Sequence, residues 1–313
     1  MQLIFNKTSG GGNKVKINGL RPTKRLNLKE INNAVLYIDD IFPGETCYSL
    51  FEENGIVYIS SGKKLFKGNE KGWTQICELE YMTWPKGAIK KDNIIYLIAY
   101  YSTYGSSLDA IYKIENNIVT ELGRYTDAAD SFDSFFIGDE IYSINAFDKL
   151  IKSVDFGKTW TDITNKVQLK DGLAITDMRI SSQMLNFNFK ECKYFIFRKH
   201  QMSFDGKVLK KITTKNINVE SLPFFMYIDN RNNKDRILVV LREQNSYSTY
   251  IYKLLEIKVE EDGSVNASVI KECKTDQEII GSNFFIDSKN ETAYGHIGAI
   301  DVTKKMFATV YSE

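Results

Sequence analysis

Histidine is almost absent from this chain. It has two, His200 and His296, which leaves Ser-His-Asp chemistry and histidine-bearing metal sites little to work with. The four cysteines, Cys47, Cys77, Cys192 and Cys273, are 30 or more residues apart. No CxxC or zinc-knuckle spacing exists, and reduced, mostly buried thiols are expected rather than a disulfide framework. No glycine-rich phosphate loop follows a strand and opens a helix. Neither a metal nor another cofactor is expected. No stretch approaches 18 apolar residues, so no membrane span is expected. The first residues lack a basic segment followed by a long apolar one, so no secretory signal is expected either. The expectation is a chain made in a reducing cytoplasm. A net charge of +1 argues against a general nucleic-acid binder.

Aromatic residues are abundant: 18 Tyr, 19 Phe and 3 Trp in 313 residues. With 43% hydrophobic and 26% charged residues the composition is globular. The charge is uneven. Residues 1–30 hold seven basic side chains against Glu30, a net of +6, which leaves −5 for the rest. This segment also carries Gly10-Gly11-Gly12, a flexible break. It reads either as a solvated leader or as an arm that docks on an acidic partner, with Lys14, Lys16, Arg21, Lys24 and Arg25 as the anchoring charges.

A pattern recurs about every 40–50 residues, the spacing expected of an array of small β units. Its core is a short β-rich run with a central bulky residue: Gly55–Ile59, Asn93–Ile98, Glu140–Ile144 and Lys193–Phe197, with weaker copies at Ile237–Leu241 and Thr292–Ile297. Polar dipeptides that close hairpins precede most of them: Asn54-Gly55, Asp92-Asn93, Gly138-Asp139 and Asn290-Glu291. A further run follows, then a closing element such as Trp73–Ile76, Val119–Leu122 or Trp160–Ile163. With the run before each turn, four strands per repeat result. Repeats of this kind fit a β-propeller of four-stranded antiparallel blades. Six blades are expected, within a range of five to seven, over residues 46–313, with residues 1–45 forming the basic arm and lead-in strands. The arm could supply a strand to the last blade. A short helix over Leu28–Leu36 is the one helical candidate.

One motif is sharp. Ser153-Val154-Asp155-Phe156-Gly157-Lys158-Thr159-Trp160 fits S-x-D-x-G-x-T-W, between the third and fourth strands of its repeat. The spacing suits a turn in which Asp155 caps backbone N–H groups, Gly157 takes positive φ, and Trp160 packs between strands, with Ser153 and Thr159 completing it. Ser203-Phe204-Asp205-Gly206-Lys207 keeps the turn without the Trp, and Gly68–Trp73 keeps the Trp without the Asp. At these residues the chain resembles the Asp-box, or bacterial neuraminidase repeat, family of β-propellers. The resemblance implies a folding element on the face away from the ligand site, shared by sialidases, other glycosidases and non-enzymatic proteins. The sialidase-like members carry an early Phe/Tyr-Arg-Ile-Pro motif and three carboxylate-binding arginines. Here Gly19-Leu20-Arg21-Pro22 lacks the aromatic and the Ile, and no spacing groups Arg124, Arg179, Arg198, Arg231, Arg236 and Arg242.

Candidate ligand-face residues fall in the loops on the other side. Arg124, Tyr125, Asp127, Asp130 and Asp133 share one loop between blades, which reads as a solvated acidic loop, an ion or ligand site, or a catalytic cluster. Tyr81 and Trp84 lie in another such loop. Tyr100, Tyr101 and Tyr104 lie in a hairpin loop over 100–108, and Tyr247 and Tyr250 in a Ser/Asn-rich loop. Tyr with small polar neighbours suits recognition, and sugars stack on aromatic faces; packing at blade ends is the competing reading. The Lys-, Asn- and Ile-rich composition resembles, more weakly, virion proteins of bacteriophages. The leading expectation is therefore a non-enzymatic binding or structural module of a virion tail, tail fibre or head appendage. It would be anchored by its arm and bind a host-surface glycan, a neighbouring virion protein or a second copy of itself. A sialidase-like glycoside hydrolase and an intracellular protein-interaction propeller are the alternatives.

Overall fold

The computed structural model describes residues 21–25, 35–39, 47–53, 56–69, 72–80, 84–103, 106–124, 131–145, 147–180, 184–198, 200–217, 227–230, 237–246, 249–275, 285–287, 292–297 and 306–310. The first strands among the described residues are β1 (Arg21–Arg25) and β2 (Val35–Asp39). Five blades of consecutive strands follow. Blade I is β3 (Cys47–Glu53), β4 (Ile56–Ser61), β5 (Lys64–Asn69) and β6 (Gly72–Glu78). Blade II is β7 (Trp84–Lys91), β8 (Ile94–Thr103), β9 (Ser106–Glu115) and β10 (Ile118–Arg124). Blade III is β11 (Ser131–Ile137), β12 (Glu140–Asn145), β13 (Leu150–Ser153) and β14 (Thr161–Asp162).

The connection out of blade III includes two 3-10 turns, Thr164–Lys166 and Ile175–Met178. Between them β15 (Gln168–Leu169) reaches ahead to the outer edge of blade IV. Blade IV is β16 (Leu185–Phe189), β17 (Cys192–Ile196), β18 (Gln201–Phe204) and β19 (Val208–Lys211). Next, β20 (Thr214–Lys215) edges blade V, which is β21 (Tyr227–Asn230), β22 (Ile237–Ser246), β23 (Thr249–Val259) and β24 (Val265–Thr275). The chain ends in β25 (Phe285–Asp287), β26 (Thr292–Ile297) and β27 (Met306–Val310). Pairing within each blade is antiparallel; among the described residues only the added edge strands, β15 on β19 and β20 on β24, pair in parallel.

The blades stack face to face, which explains why their strands are apolar on both sides. In β8, Leu97 and Ala99 enter a core shared with Phe51, Tyr58 and Leu65 of blade I, while Ile98 enters one shared with Phe136 and Ile141 of blade III. In β17, Phe195 packs with Phe135 and Tyr142 of blade III, and Tyr194 and Ile196 pack with Val239 and Ile257 of blade V. A period-2 strand thus feeds two cores, and each fully buried Ile or Leu contributes about 1.5–3 kcal/mol. Aromatics fill these layers: Phe135 meets Phe195 edge-on at 5.4 Å, and Phe187 stacks on Tyr194 at 5.1 Å. First strands meet one another around an axis: β3 with β7, β7 with β11, β16 with β21, and β21 with β3. The protein is an all-β propeller of four-stranded antiparallel blades, and the described residues form five such blades of consecutive strands.

A further sheet draws on both ends of the chain, in the order β1-β2-β27-β26-β25. Val35 pairs with Val310 and Asp39 with Met306. The helix expected over Leu28–Leu36 is corrected at its end: Val35 and Leu36 lie in β2, a β-branched and apolar run that finds a ladder partner in β27. Residues 28–34 lie outside the described residues.

The hairpin turns follow their sequences. Asp92-Asn93 and Asn116-Asn117 all sit at positive φ, the geometry of the turn that matches strand twist. Among the cysteines whose side chains are described, Cys77 is buried and Cys192 partly buried, both as free thiols, and burial pushes Cys77 up to about 11.

Candidate functional site

The Ser153–Trp160 segment forms a closed knot of hydrogen bonds. Gly157 N–H donates to Ser153 Oγ (2.7 Å), and Ser153 Oγ donates to Asp155 Oδ1 (2.8 Å). Asp155 also accepts from Thr159 N–H (2.9 Å) and Thr159 Oγ1 (2.7 Å), and these bonds hold its carboxyl below the usual range. Trp160 Nε1 donates to Gly157 O (3.1 Å). Phe156 and Gly157 are both at positive φ, +55° and +89°. The knot presses on blade II: Phe156 stacks on Tyr96 at 3.7 Å, and a Cβ on Gly157 would lie 2.4 Å from Ile111 Cδ1. The partial copy repeats the device one blade on. Asp205 Oδ1 accepts from Lys207 and Val208 N–H, and a Cβ on Gly206 would lie 2.4 Å from Tyr142 Oη. These residues therefore position blades rather than offer a site.

The antiparallel order puts the start of β11 at the edge of blade III opposite that knot. Here the described polar groups gather. Asp109, 1% exposed, sits near the start of β9. Its carboxylate takes Lys86 Nζ of β7 at 2.9 and 3.0 Å and the N–H of Ser134 on β11 at 3.2 Å. Burial raises its pKa against the pull of Lys86. Lys86 also lies 5.5 Å over the ring of Tyr100. Asp133, 7% exposed, is pushed up to about 6, chiefly by burial, with Lys86 and Arg179 opposing and Asp109 adding to the rise.

Arg179 Nη2 donates to Asn145 O (2.9 Å) and Asp148 Oδ1 (2.6 Å). Asn145 Oδ1 accepts the N–H groups of Phe147 and Lys149, both at 3.0 Å. Phe147 stands 73% exposed on this turn. His200 Nε2 lies 3.7 Å from Asp177 Oδ1. Among the described residues, no group of three or more His, Cys, Asp or Glu is placed to hold a metal ion, and no helix is long and apolar enough to cross a membrane.

Several expected loop residues lie on strands instead. Tyr100 and Tyr101 belong to β8, whose ladder with β9 runs on to Thr103↔Ser106, so residues 100–103 and 106–108 of the expected loop lie on strands. The alternating Tyr, Ser and Thr residues suit a strand, and this extended the hairpin. Trp84 begins β7 and pairs with Tyr100, Arg124 ends β10, and Tyr250 pairs with Thr275 and Gln244 in blade V. Asp133 is likewise on β11 rather than in the interblade loop.

Tyr81, Tyr104, Tyr125, Asp127, Asp130, Tyr247, Lys14 and Lys16 lie outside the described residues. Arg21, Lys24 and Arg25 fall within β1. Sequence reasoning missed Lys86, Asp109 and Phe147, and gave Arg179 no role. The only local signal was Asn145-Ala146-Phe147-Asp148 between two strands, an Asx-turn pattern.

No known family model matches the sequence, and no curated protein matches it. Solved structures do resemble the chain. YCF48 bound to a D1 peptide aligns over 92% of this chain and 99% of its own, with a TM-score of 0.43 and 7% identity. BamB from Moraxella catarrhalis aligns over 94% and 100%, with 0.39 and 10%. A GH43_1 enzyme from Xanthomonas citri aligns over 71% and 90%, with 0.39 and 8%. At these scores no likeness carries an argument about function, and the propeller assignment rests on the sheets themselves.

Proposed function

We propose that this chain is a binding module whose working surface is formed by the ends of blades II and III opposite the Ser153–Trp160 knot. One observation carries the reading: among the described residues, the two carboxylates that meet there are both buried. Asp109 is closed off by Lys86 and Ser134, and Asp133 is buried beside it. A glycosidase needs two carboxyl groups about 5–10 Å apart that face a sugar. The exposed groups here are instead an aromatic ring and mixed charges, the composition of a recognition surface. The ligand we favour is a glycan, with a neighbouring protein as the other class. A glycan array read beside a reducing-sugar release assay tests this; retention with no release is expected, and release from any retained glycan sinks the reading.

The knot at Ser153–Trp160 supports membership of the Asp-box propellers through its residue pattern and bonding. The terminal sheet supports a sixth blade that closes the ring, because β25 touches both β21 and β3. A bacteriophage virion is the setting we propose, with residues ahead of β1 as the anchor. Its support is the sequence alone: the +6 segment and the Lys-, Asn- and Ile-rich composition.

Glycoside hydrolysis stays as a second reading for one reason. Asp133, pushed up to about 6, has the proton affinity of a general acid.

A further inference from the structure

We propose that Phe147 is a stacking platform for a pyranose ring, with Asp148, Lys149 and Arg179 placed to hydrogen-bond the hydroxyls of the sugar. This rests on the binding reading above and names its ligand class and its contact residue. At 73%, Phe147 is more exposed than Ile118 (68%), Val154 (66%) or Val269 (53%). The ring is held out by a fixed turn. Asn145, 3% exposed, receives Phe147 N–H and Lys149 N–H on its side chain, receives Asp148 N–H on its carbonyl (3.1 Å), and donates its own N–H to Lys149 O (3.0 Å). Arg179 then ties Asn145 O to Asp148.

Phe147 contributes only a backbone N–H to this network, so a polar side chain would serve the turn equally well. The turn therefore does not itself require an aromatic side chain at this position. Around it, Asp148 is 60% exposed and pairs with Arg179, and Lys149 is 56% exposed and lies 3.3 Å from Asp162 Oδ2. They offer acceptors and donors side by side, which is what hydroxyls need, since each both gives and takes a hydrogen bond. The electron-rich ring face suits the C–H face of a sugar. A protein partner would need on the order of 800 Å² on this side, with an apolar centre. Among the described residues Phe147 is the exposed ring set among charges, and one ring matches one sugar face.

The test titrates chitotriose, cellotriose, maltotriose and lactose into the full chain and reads affinity by calorimetry. At least one sugar should bind. Phe147→Ala should weaken it by about tenfold or more, Phe147→Trp should keep it, and neither should move the unfolding midpoint. A sugar that binds Phe147→Ala as tightly as the parent overturns the inference and leaves the binding reading standing. No binding at millimolar sugar overturns the pyranose assignment. Capture of a protein through Phe147 overturns it as well and moves the binding reading to its protein class.

Discussion

Asp109, on the third strand of blade II, accepts the backbone N–H of Ser134, on the first strand of blade III, at 3.2 Å. The same carboxylate holds Lys86 from the first strand of its own blade. One buried side chain thus fixes the inner strand of one blade to the inner strand of the next. Asp109→Ala leaves a partly buried ammonium and a buried N–H without this partner. It should cost about 3–5 kcal/mol, the usual result of removing one member of a buried pair. Urea unfolding of Asp109→Ala and of the double variant with Lys86→Met checks this, with the double variant recovering part of the loss.

Gly157 lies where a side chain meets both a positive φ and a neighbour. Gly157→Ala should destabilise by about 2 kcal/mol or more, because the Cβ would meet Ile111 at 2.4 Å. Gly263→Ala shares the positive φ, at +81°, but meets nothing within 4 Å. It should cost about 1 kcal/mol, the backbone share alone. Equal losses by thermal unfolding would show that the box does not brace blade II.

Asp133 gives stability a pH dependence of definite sign. Its pKa is raised in the fold, to about 6 from 3.8, so the folded chain binds more protons than the unfolded one between those values. The contribution is present below about pH 4 and is lost as pH rises through 6, an effect of up to about 3 kcal/mol. Asp133→Asn should therefore match the parent near pH 4 and exceed it in stability at pH 7. An advantage that is the same at both pH values would contradict this.

Lys193 shows the opposite case. It is 7% exposed and lies 6.0 Å over Phe135, and burial lowers its pKa to about 7. A cation disfavoured by the fold adds stability at high pH that is lost as pH falls from about 10 through 7. Lys193→Met should raise the unfolding midpoint at pH 7, and the gain should shrink toward pH 10. A midpoint lowered at both pH values would mean that the ammonium is a favourable partner of Phe135.

The blades were legible because each strand carries its pattern in a few residues. Ile94–Ile98 and Glu140–Ile144 alternate between two cores, and Asp92-Asn93 and Gly138-Asp139 turn where they should. The box was legible because the hydrogen bonds that close it fall within eight residues. The terminal sheet was legible only as an option, since Val35 finds its partner at Val310, across almost the whole chain. The site was not legible for the same reason. Lys86, Asp109 and Ser134 come from three strands, and Arg179 reaches Asp148 from the connection to the next blade. Tyr100 and Tyr101 were misplaced because Tyr and Thr serve loops and strands equally well, and only pairing with Asp109 and Leu108 decides.

The most direct test of the binding account is mass spectrometry of a retained glycan after prolonged incubation with the full chain, in parallel with the Asp133→Asn variant. The account predicts that the glycan is recovered intact from both. Cleaved product that forms with the parent chain and disappears with Asp133→Asn would contradict it and establish Asp133 as the acid of a hydrolase.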